Sequence, residues 1–230
     1  MSAGSWWSAP REAWRRLAGG GMPPGSRWVV LDVETTGLDP RTDRLLAIAA
    51  IALRLEGERP VVDLHDSFDA VLRQDGQAAG AVADKANILV HGIGVGAMRA
   101  GADPAEVLRA FRAWAGPAPR LGFHVAFDQA VIERAERQHL HGEGPPARVP
   151  WIDIEPLAAI AYPEVKARAL DEWLTHFDIR CIKRHQAIAD TLATAELLLR
   201  VWPALQQREG KVDAASLARL ARARRWVQGG

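Results

Sequence analysis

A short apolar segment that ends in two acidic residues constrains this chain more than any other feature. Trp28 to Val33 is rich in β-branched and aromatic residues and lies between Pro23-Pro24-Gly25 and Gly37. These limits favour a buried β-strand over a helix. Asp32 and Glu34 stand two positions apart at its end. Because side chains alternate across a strand, both carboxylates should leave by the same face.

Two neighbouring carboxylates in an apolar strand require a compensating partner. Like charges repel, and burial of an unpaired carboxylate costs free energy. A divalent cation such as Mg²⁺ or Mn²⁺ neutralises both, because these ions prefer carboxylate oxygens as ligands. The alternative is that Asp32 caps the following turn and that Glu34 points to solvent.

The composition is that of an ordinary globular protein, long enough for one α/β domain with extensions. The chain has 230 residues, of which 48% are hydrophobic and 25% charged, and its formal net charge is +1. The global charge therefore neither requires nor excludes a nucleic-acid partner. Contact with a polyanion would have to come from local patches or from bound metal.

Cysteine usage and the absence of long apolar runs bear on the compartment. Cys181 is the only cysteine, which excludes an intramolecular disulfide and favours a reducing environment. We find no apolar run long enough to span a bilayer and no apolar core typical of a signal peptide near the N-terminus. We therefore expect a cytoplasmic protein without a membrane partner.

The hydrophobic pattern predicts a mixed α/β fold. Closely spaced apolar runs at 28–33, 44–55 and 61–72 favour an antiparallel meander of three strands. Further strands are expected at 120–123 and 149–153, and helices at 103–115, 127–139, 154–161, 170–177, 187–205 and beyond 213. This order indicates a sheet that is antiparallel on one side and parallel on the other, flanked by helices.

We expect the chain to divide into three parts. Residues 1–26 form a tryptophan-rich arm, residues 27–206 the main domain, and residues 207–230 a basic C-terminal helix or tail. The arm would dock on its own domain or on a partner. The C-terminal helix would contact nucleic acid or a partner, or else be an amphipathic helix with Leu217 and Leu220 packed against the core.

Two later segments carry further acidic residues. Asp128 is expected in the first turn of a helix that follows Gly122-Phe123-His124, and Asp190 lies early in a later helix, five residues after His185. Each has an alternative structural explanation. An aspartate at a helix start is favoured by the helix dipole, and a lone histidine is commonly a surface residue.

In combination and in this order, the motifs D-x-E, G-x-x-x-x-F-D and H-x-x-x-x-D resemble those of the DEDDh exonucleases, the DnaQ-like family that includes the polymerase III epsilon subunit. The resemblance extends from Trp28 to Leu205. It implies an RNase H-like fold, and it identifies residues 27–206 as an exonuclease domain. A histidine rather than a tyrosine at position 185 indicates the "h" branch of the superfamily.

The resemblance implies a role for each motif residue. Asp32, Glu34, Asp128 and Asp190 would bind two divalent cations, Mg²⁺ or Mn²⁺, and His185 would be the general base. Two cations about 3.5–4 Å apart can stabilise both the attacking and the leaving oxygen of an in-line phosphoryl displacement. An imidazole suits the remaining proton transfer because it titrates near neutral pH.

The resemblance also implies contacts with the 3′-terminal nucleotide. The residues concerned are Thr35, Thr36, Gly37, Leu38, His91, Ile93, His124 and Phe127. Leu38 would pack against or between bases, whereas His91 and Ile93 have an alternative explanation as packing residues within a loop. Many relatives have Gly-His-Asn where this chain has Gly122-Phe123-His124, and loss of the amide can change the preference for sugar or base.

These features lead us to expect a metal-dependent 3′–5′ exonuclease that degrades single-stranded nucleic acid, with DNA as the preferred substrate, to nucleoside 5′-monophosphates. An exoribonuclease resembling RNase T or oligoribonuclease would use the same chemistry. A non-catalytic binding module normally lacks one of the acids or the histidine, and this chain has all of them. The expected partners are a DNA or RNA 3′ end and a DNA polymerase or another replication or repair protein.

Overall fold

The computed structural model describes residues 27–74, 92–145 and 147–228, which include a central sheet with helices on both faces. The strands are β1 Arg27–Thr35, β2 Leu45–Glu56, β3 Arg59–Val71, β4 Arg120–Gly122 and β5 Trp151–Asp153. The helices are α1 Val95–Ala100, α2 Pro104–Ala115, α3 Ala126–His139, α4 Ile154–Ala161, α5 Leu170–His176, α6 Ala187–Glu209 and α7 Ala214–Gln228. The predicted arm over residues 1–26 lies outside the described residues.

The five-stranded sheet has the order β3-β2-β1-β4-β5. Neighbouring strands from β1 to β3 pair antiparallel, which their short connections permit, whereas β4 pairs parallel with both β1 and β5. The predicted meander and the mixed sheet are therefore confirmed, as is the RNase H-like fold. β1 is the central strand, so the residues at its carboxyl end lie in the middle of the sheet edge.

The two faces of β1 are buried by different sets of helices. Trp28 and Val30 belong to a core cluster with residues of α4, α5, α6 and α7, and the alternate positions Val29 and Leu31 belong to a second cluster with residues of α2 and α3. The alternation follows from the two-residue period of a strand. Continued to the end of β1, it directs Asp32 and Glu34 toward the face that α6 covers.

Helix boundaries differ from the sequence expectation where tertiary packing overrides local signals. The short helix α1 was not predicted, because glycine at positions 94 and 96 weakens its pattern, and Met98 is its one buried residue. α6 runs through Pro203 to Glu209, where Trp202 and Leu205 are buried in the core.

No helix in the described ranges is long and apolar enough to cross a membrane.

The C-terminal helix α7 packs against the main core. Its first turn is capped by Asp213, whose Oδ1 accepts a hydrogen bond of 2.8 Å from the backbone N–H of Ser216. Leu217 and Ala218 are buried, and Leu220 is partly buried against the same cluster. The amphipathic packing predicted for this helix is confirmed for Leu217, and a domain boundary after residue 206 stays a prediction.

The aromatic core under α2 provides a test of this packing. Phe111 is fully buried and meets the ring of Phe68 edge-on, with 5.4 Å between the ring centroids. We expect Phe111→Ala to lower the free energy of unfolding by about 3–5 kcal/mol, because it removes apolar contacts and leaves a cavity. Leu64→Ala, at an exposed position of β3, should change it by less than about 0.5 kcal/mol. Urea denaturation measures both, and equal effects would contradict the packing.

Candidate active site

Asp32 and Glu34 lie at the carboxyl end of β1, where the strand leaves the core. Burial raises the pKa of Asp32 well above its usual value, and repulsion from Asp128, Glu34 and Asp190 raises it further. The pKa of Glu34 is raised to about 7, first by burial and then by the charge of Asp190. Two carboxylates of one strand therefore share a poorly solvated space with acids from elsewhere in the chain.

Asp128 reaches this space from the first turn of α3. Gly122, at the end of β4, lets the chain turn closely beside β1: a Cβ there would lie 3.1 Å from the backbone oxygen of Leu31 and 2.9 Å from Val125 Cγ2. Asp128 is buried, and its Oδ1 accepts a hydrogen bond of 3.1 Å from the backbone N–H of Val33. Asp128 thus bonds to the central strand rather than serving only its own helix.

The environment of Asp128 disfavours its charge. Its pKa is raised to about 8, chiefly by burial and also by the nearby charges of Asp153 and Glu34. Asp153 ends β5 and is buried, and its Oδ1 accepts a hydrogen bond of 2.9 Å from the backbone N–H of His124. The pKa of Asp128 at this sheet edge therefore depends on the charges of the neighbouring carboxylates.

Asp190 comes from the first turn of α6 on the other side. The neighbouring Thr191 donates a hydrogen bond of 3.3 Å to the backbone oxygen of Ala49, which is the β2 residue opposite Asp32. This contact fixes the start of α6 over the strand that carries Asp32. Asp190 is buried, and its charge acts on both Asp32 and Glu34.

His185 precedes α6 in a backbone conformation that is rare for a non-glycine residue, with φ at 60°. Its backbone N–H donates a hydrogen bond of 2.9 Å to Asp190 Oδ2, and the residue is exposed. A positive φ costs free energy for an L-residue and persists only where the surroundings enforce it. The bond to Asp190 helps to hold His185 beside the carboxylates, with its side chain accessible to solvent.

The carboxylates are the type of ligand that divalent cations prefer, but their side chains are not arranged around a common metal position. Oε1 of Glu34 is buried and has no hydrogen-bond partner among the described residues, which is costly for a carboxylate oxygen unless a cation binds it. Oxygen ligands of this kind are those that Mg²⁺ and Mn²⁺ prefer. No group of three or more His, Cys, Asp or Glu side chains in the described ranges stands ready to hold a metal ion, so binding requires side-chain movement.

The turn after β1 presents Leu38 to solvent from a fixed backbone. Leu38 is 90% exposed. The carboxylate of Asp43 accepts hydrogen bonds from Thr36 Oγ1 at 2.9 Å and from the backbone N–H of Asp39 at 2.8 Å. A Cβ at Gly37 would lie 2.6 Å from Asp43 Oδ2, so only glycine fits there without displacing this carboxylate.

A side chain of α3 anchors the same turn. Arg134 donates a hydrogen bond of 2.8 Å to the backbone oxygen of Arg41 and another to the backbone oxygen of Asp43. The helix that carries Asp128 therefore also fixes the turn that carries Leu38. An apolar side chain held in this way faces water at a free-energy cost, unless a ligand covers it.

The other residues predicted to contact substrate lie in different environments. Thr35 is buried, and its hydroxyl donates a hydrogen bond of 2.5 Å to the backbone oxygen of Gly37. His124 is exposed with φ at 56°, and its ring lies 4.6 Å from that of Phe123. Phe127 is partly buried against the second core cluster.

Ile93 and His91 were predicted from the segment before α1. Ile93 is partly buried, which agrees equally with packing and with substrate contact. His91 lies outside the described residues. A role for either in substrate binding stays a prediction.

Sequence reasoning missed the polar residues that support this site. Asp153 could have been found from the sequence, because it stands at a strand end directly before a helix. Arg184 precedes His185 in the sequence, yet its contact with Asp190 depends on the path of the loop. Arg134 gave no signal, because its partners are backbone groups distant in sequence, and the bonds of Asp43 within the turn after β1 match no motif that we recognised.

Comparisons with known proteins show which proteins this chain resembles. Residues 29–198 match the model of a family described as exonuclease, with the family name RNase T. The chain is 32% identical over 174 residues to a DNA polymerase III PolC-type from Bacillus subtilis (strain 168), covering 76% of the chain and 11% of that protein. It is 34% identical over 185 residues to a DNA polymerase III subunit epsilon-like protein from Rhodobacter capsulatus, covering 79% of the chain and 24% of that protein.

A solved structure resembles the fold as well. E. coli exonuclease I in complex with a dT13 oligonucleotide superimposes with a TM-score of 0.63 at 20% sequence identity, covering 80% of this chain and 42% of that chain. The chain thus spans between about a tenth and a quarter of the two curated relatives and less than half of this structure.

The raised carboxylate pKa values predict how stability depends on pH without metal. Asp128 retains its proton up to about pH 8 in the folded protein, whereas the unfolded chain loses it near pH 4. The free energy of unfolding should therefore fall as the pH rises from about 4 to 8. We expect Asp128→Asn to be more stable than the wild type at pH 8 by at least about 1 kcal/mol, and the difference to shrink toward pH 5.

Urea denaturation in EDTA at pH 5, 6.5 and 8 measures this dependence. Glu164→Gln removes a carboxylate at an exposed position and serves as the control, with the same pH profile as the wild type. A stability of the Asp128→Asn variant that falls with pH as steeply as that of the wild type would contradict the burial of this charge.

Proposed function

The chain belongs to the exonuclease family whose model it matches over residues 29–198, and on this premise we propose that it is a metal-dependent 3′–5′ exonuclease. The observation that carries the proposal is the convergence of acids from three separate elements on one poorly solvated space: Asp32 and Glu34 from β1, Asp128 from α3, and Asp190 from α6. Such an arrangement lowers the stability of the metal-free fold. Divalent cations that bind the end of a polyanion would neutralise these carboxylates.

The four carboxylates are proposed as the ligands of two divalent cations, Mg²⁺ or Mn²⁺. The unpartnered Oε1 of Glu34 supports this assignment, because it is a buried acceptor without a donor. When bound, the cations would supply Lewis-acid stabilisation for the negative charge that develops on the reacting phosphate. Asp128, bonded to the backbone of β1, would keep its orientation throughout.

His185 is proposed as the general base. Its exposure leaves the imidazole free to accept a proton from the attacking water, and its backbone bond to Asp190 keeps it near the acids. The water oxygen would form a bond to phosphorus while the bond to the 3′ oxygen of the preceding nucleotide breaks. The products would be a nucleoside 5′-monophosphate and a chain shortened by one residue.

Single-stranded DNA is the proposed substrate. Two curated relatives are named as DNA polymerase III proteins, and the superimposed exonuclease I structure contains a dT13 oligonucleotide. A DNA polymerase, or another replication or repair protein, is the corresponding proposed partner. An exoribonuclease would use the same carboxylates, and the comparison of DNA with RNA below distinguishes the two.

Leu38 is proposed to pack against the terminal base, because it is an exposed apolar side chain on an anchored turn beside Glu34. We expect Leu38→Ser to raise KM for a single-stranded oligonucleotide by about tenfold with a smaller change in kcat, since stacking on a base contributes about 1–3 kcal/mol where an aromatic residue provides it. Leu64→Ser, at an exposed position of β3, is the matched control and should leave KM unchanged. An equal effect of both variants would exclude this role.

The test of the whole proposal uses 5′-end-labelled single-stranded DNA and RNA of one sequence with Mg²⁺ or Mn²⁺. We expect a ladder that shortens from the 3′ end, is abolished by EDTA, and forms faster on DNA. Asp32→Asn should abolish degradation, and His185→Ala should lower kcat by at least about 100-fold, which is the usual contribution of a general base.

The control for the base is His139→Ala, an exposed histidine at the end of α3, which should retain full activity. Faster degradation of RNA would assign the chain to the exoribonucleases. Undiminished activity of Asp32→Asn would refute the proposed mechanism, and absence of degradation despite bound metal would favour a binding module.

A further inference from the structure

Arg184 lies where the metal-free site requires positive charge. Its Nη1 donates a hydrogen bond to Asp190 Oδ1, and its Nε donates another to Asp171 Oδ1 on α5. The side chain of Asp190 is 8% exposed and that of Asp171 is 60% exposed. One guanidinium therefore joins a buried carboxylate of the proposed metal site to an exposed carboxylate outside it.

The contacts of Asp190 leave little room for a further cation. Besides Arg184, its Oδ1 accepts a hydrogen bond from the thiol of Cys181 at 3.5 Å, and its Oδ2 accepts one from the backbone N–H of His185 at 2.9 Å. An ionised carboxylate offers about four acceptor positions. Asp190 can therefore become a metal ligand most readily if Arg184 gives up its place.

We propose that Arg184 is the built-in counter-ion of Asp190, that it competes with the divalent cation for this carboxylate, and that it remains on Asp171 when the cation binds. The inference rests on the proposed function, because it concerns the same four carboxylates. It assigns to Arg184 a positioning role, since the residue acts through Asp190.

The energetic basis is the same repulsion that shapes the rest of the site. Without metal, a buried Asp190 that faces other carboxylates is costly unless a positive charge pairs with it. The charge of Arg184 also lowers the pKa values of Asp32 and Glu34, opposing the burial that raises them. Once a dication binds Asp190, the guanidinium and the metal would lie a few ångströms apart, and their repulsion favours separation.

Asp171 makes such a movement small. Because Arg184 already binds this carboxylate through Nε, its planar guanidinium has only to pivot beside Asp171 to leave Asp190. The exposed position of Asp171 lets water solvate the guanidinium there. The competition therefore needs a change of side-chain rotamer and no rearrangement of the backbone.

Metal binding without nucleic acid tests the proposal directly. We would titrate Mn²⁺ into the EDTA-stripped full chain by calorimetry at pH 8, for the wild type, Arg184→Gln and Arg180→Gln. Arg180 is exposed in the same segment, so its variant removes an equal charge from the loop. We expect Arg184→Gln to bind Mn²⁺ roughly tenfold more tightly, because it removes a competitor in direct contact, and Arg180→Gln to differ from the wild type by less than about twofold, because solvent and salt screen an exposed charge.

Thermodynamic linkage provides a second readout. If metal displaces Arg184 from Asp190, Arg184→Gln should be less stable than the wild type in EDTA, and the difference should shrink with saturating Mn²⁺ to the small contribution of the exposed contact with Asp171. Arg184→Lys retains a positive charge and should bind Mn²⁺ with an affinity between those of the wild type and Arg184→Gln. This variant keeps the test decisive should the glutamine variant fold poorly.

The outcomes separate this inference from the proposed function. Mn²⁺ affinity of Arg184→Gln equal to or below that of Arg180→Gln, or a stability loss that is as large with saturating Mn²⁺ as in EDTA, would overturn the competition and leave the exonuclease proposal intact. Absence of Mn²⁺ binding by the wild type and both variants would overturn both. Asp32→Asn should bind Mn²⁺ more weakly than the wild type, which would locate the titrated site at these carboxylates.

Discussion

The repulsion among buried and partly buried carboxylates at the end of β1 is the constraint on which the rest of this structure depends. Burial and mutual repulsion raise the pKa values of Asp32, Glu34 and Asp128. A fold selected for stability alone would avoid such a cluster. Its energetic cost must be met by the two packed cores on either side of the sheet, and a bound cation would reverse the sign of the interaction.

Several contacts within the fold position these acids. Gly122 allows α3 to begin close beside β1, so that Asp128 bonds to the backbone of Val33. The hydroxyl of Thr191 ties the start of α6 to β2 opposite Asp32. These contacts come from rigid strands and helix starts, so the carboxylates are held by the scaffold rather than by flexible loops.

Positive charge contacts the carboxylate cluster through Arg184. The formal net charge of the chain is +1, so an overall excess of positive charge does not compensate for the acids. Arg184 provides local compensation at Asp190. In the proposed competition, this guanidinium stabilises the metal-free protein and opposes metal binding through the same contact. Arg184 would therefore raise the stability of the metal-free protein and lower its affinity for the cation.

The sequence by itself determined the strand order, the mixed sheet and every described helix except α1, because hydrophobic periodicity and capping signals encode them. Its short motifs singled out the four acids as candidates. The family match over residues 29–198 confirmed the family that these motifs indicated. Tertiary structure alone decided what surrounds these acids: the bond from Val33 to Asp128 and the contact of Arg184 with Asp190. The first contact depends on how distant segments approach one another, and the second depends on the path of the loop before α6. No local sequence pattern predicts either.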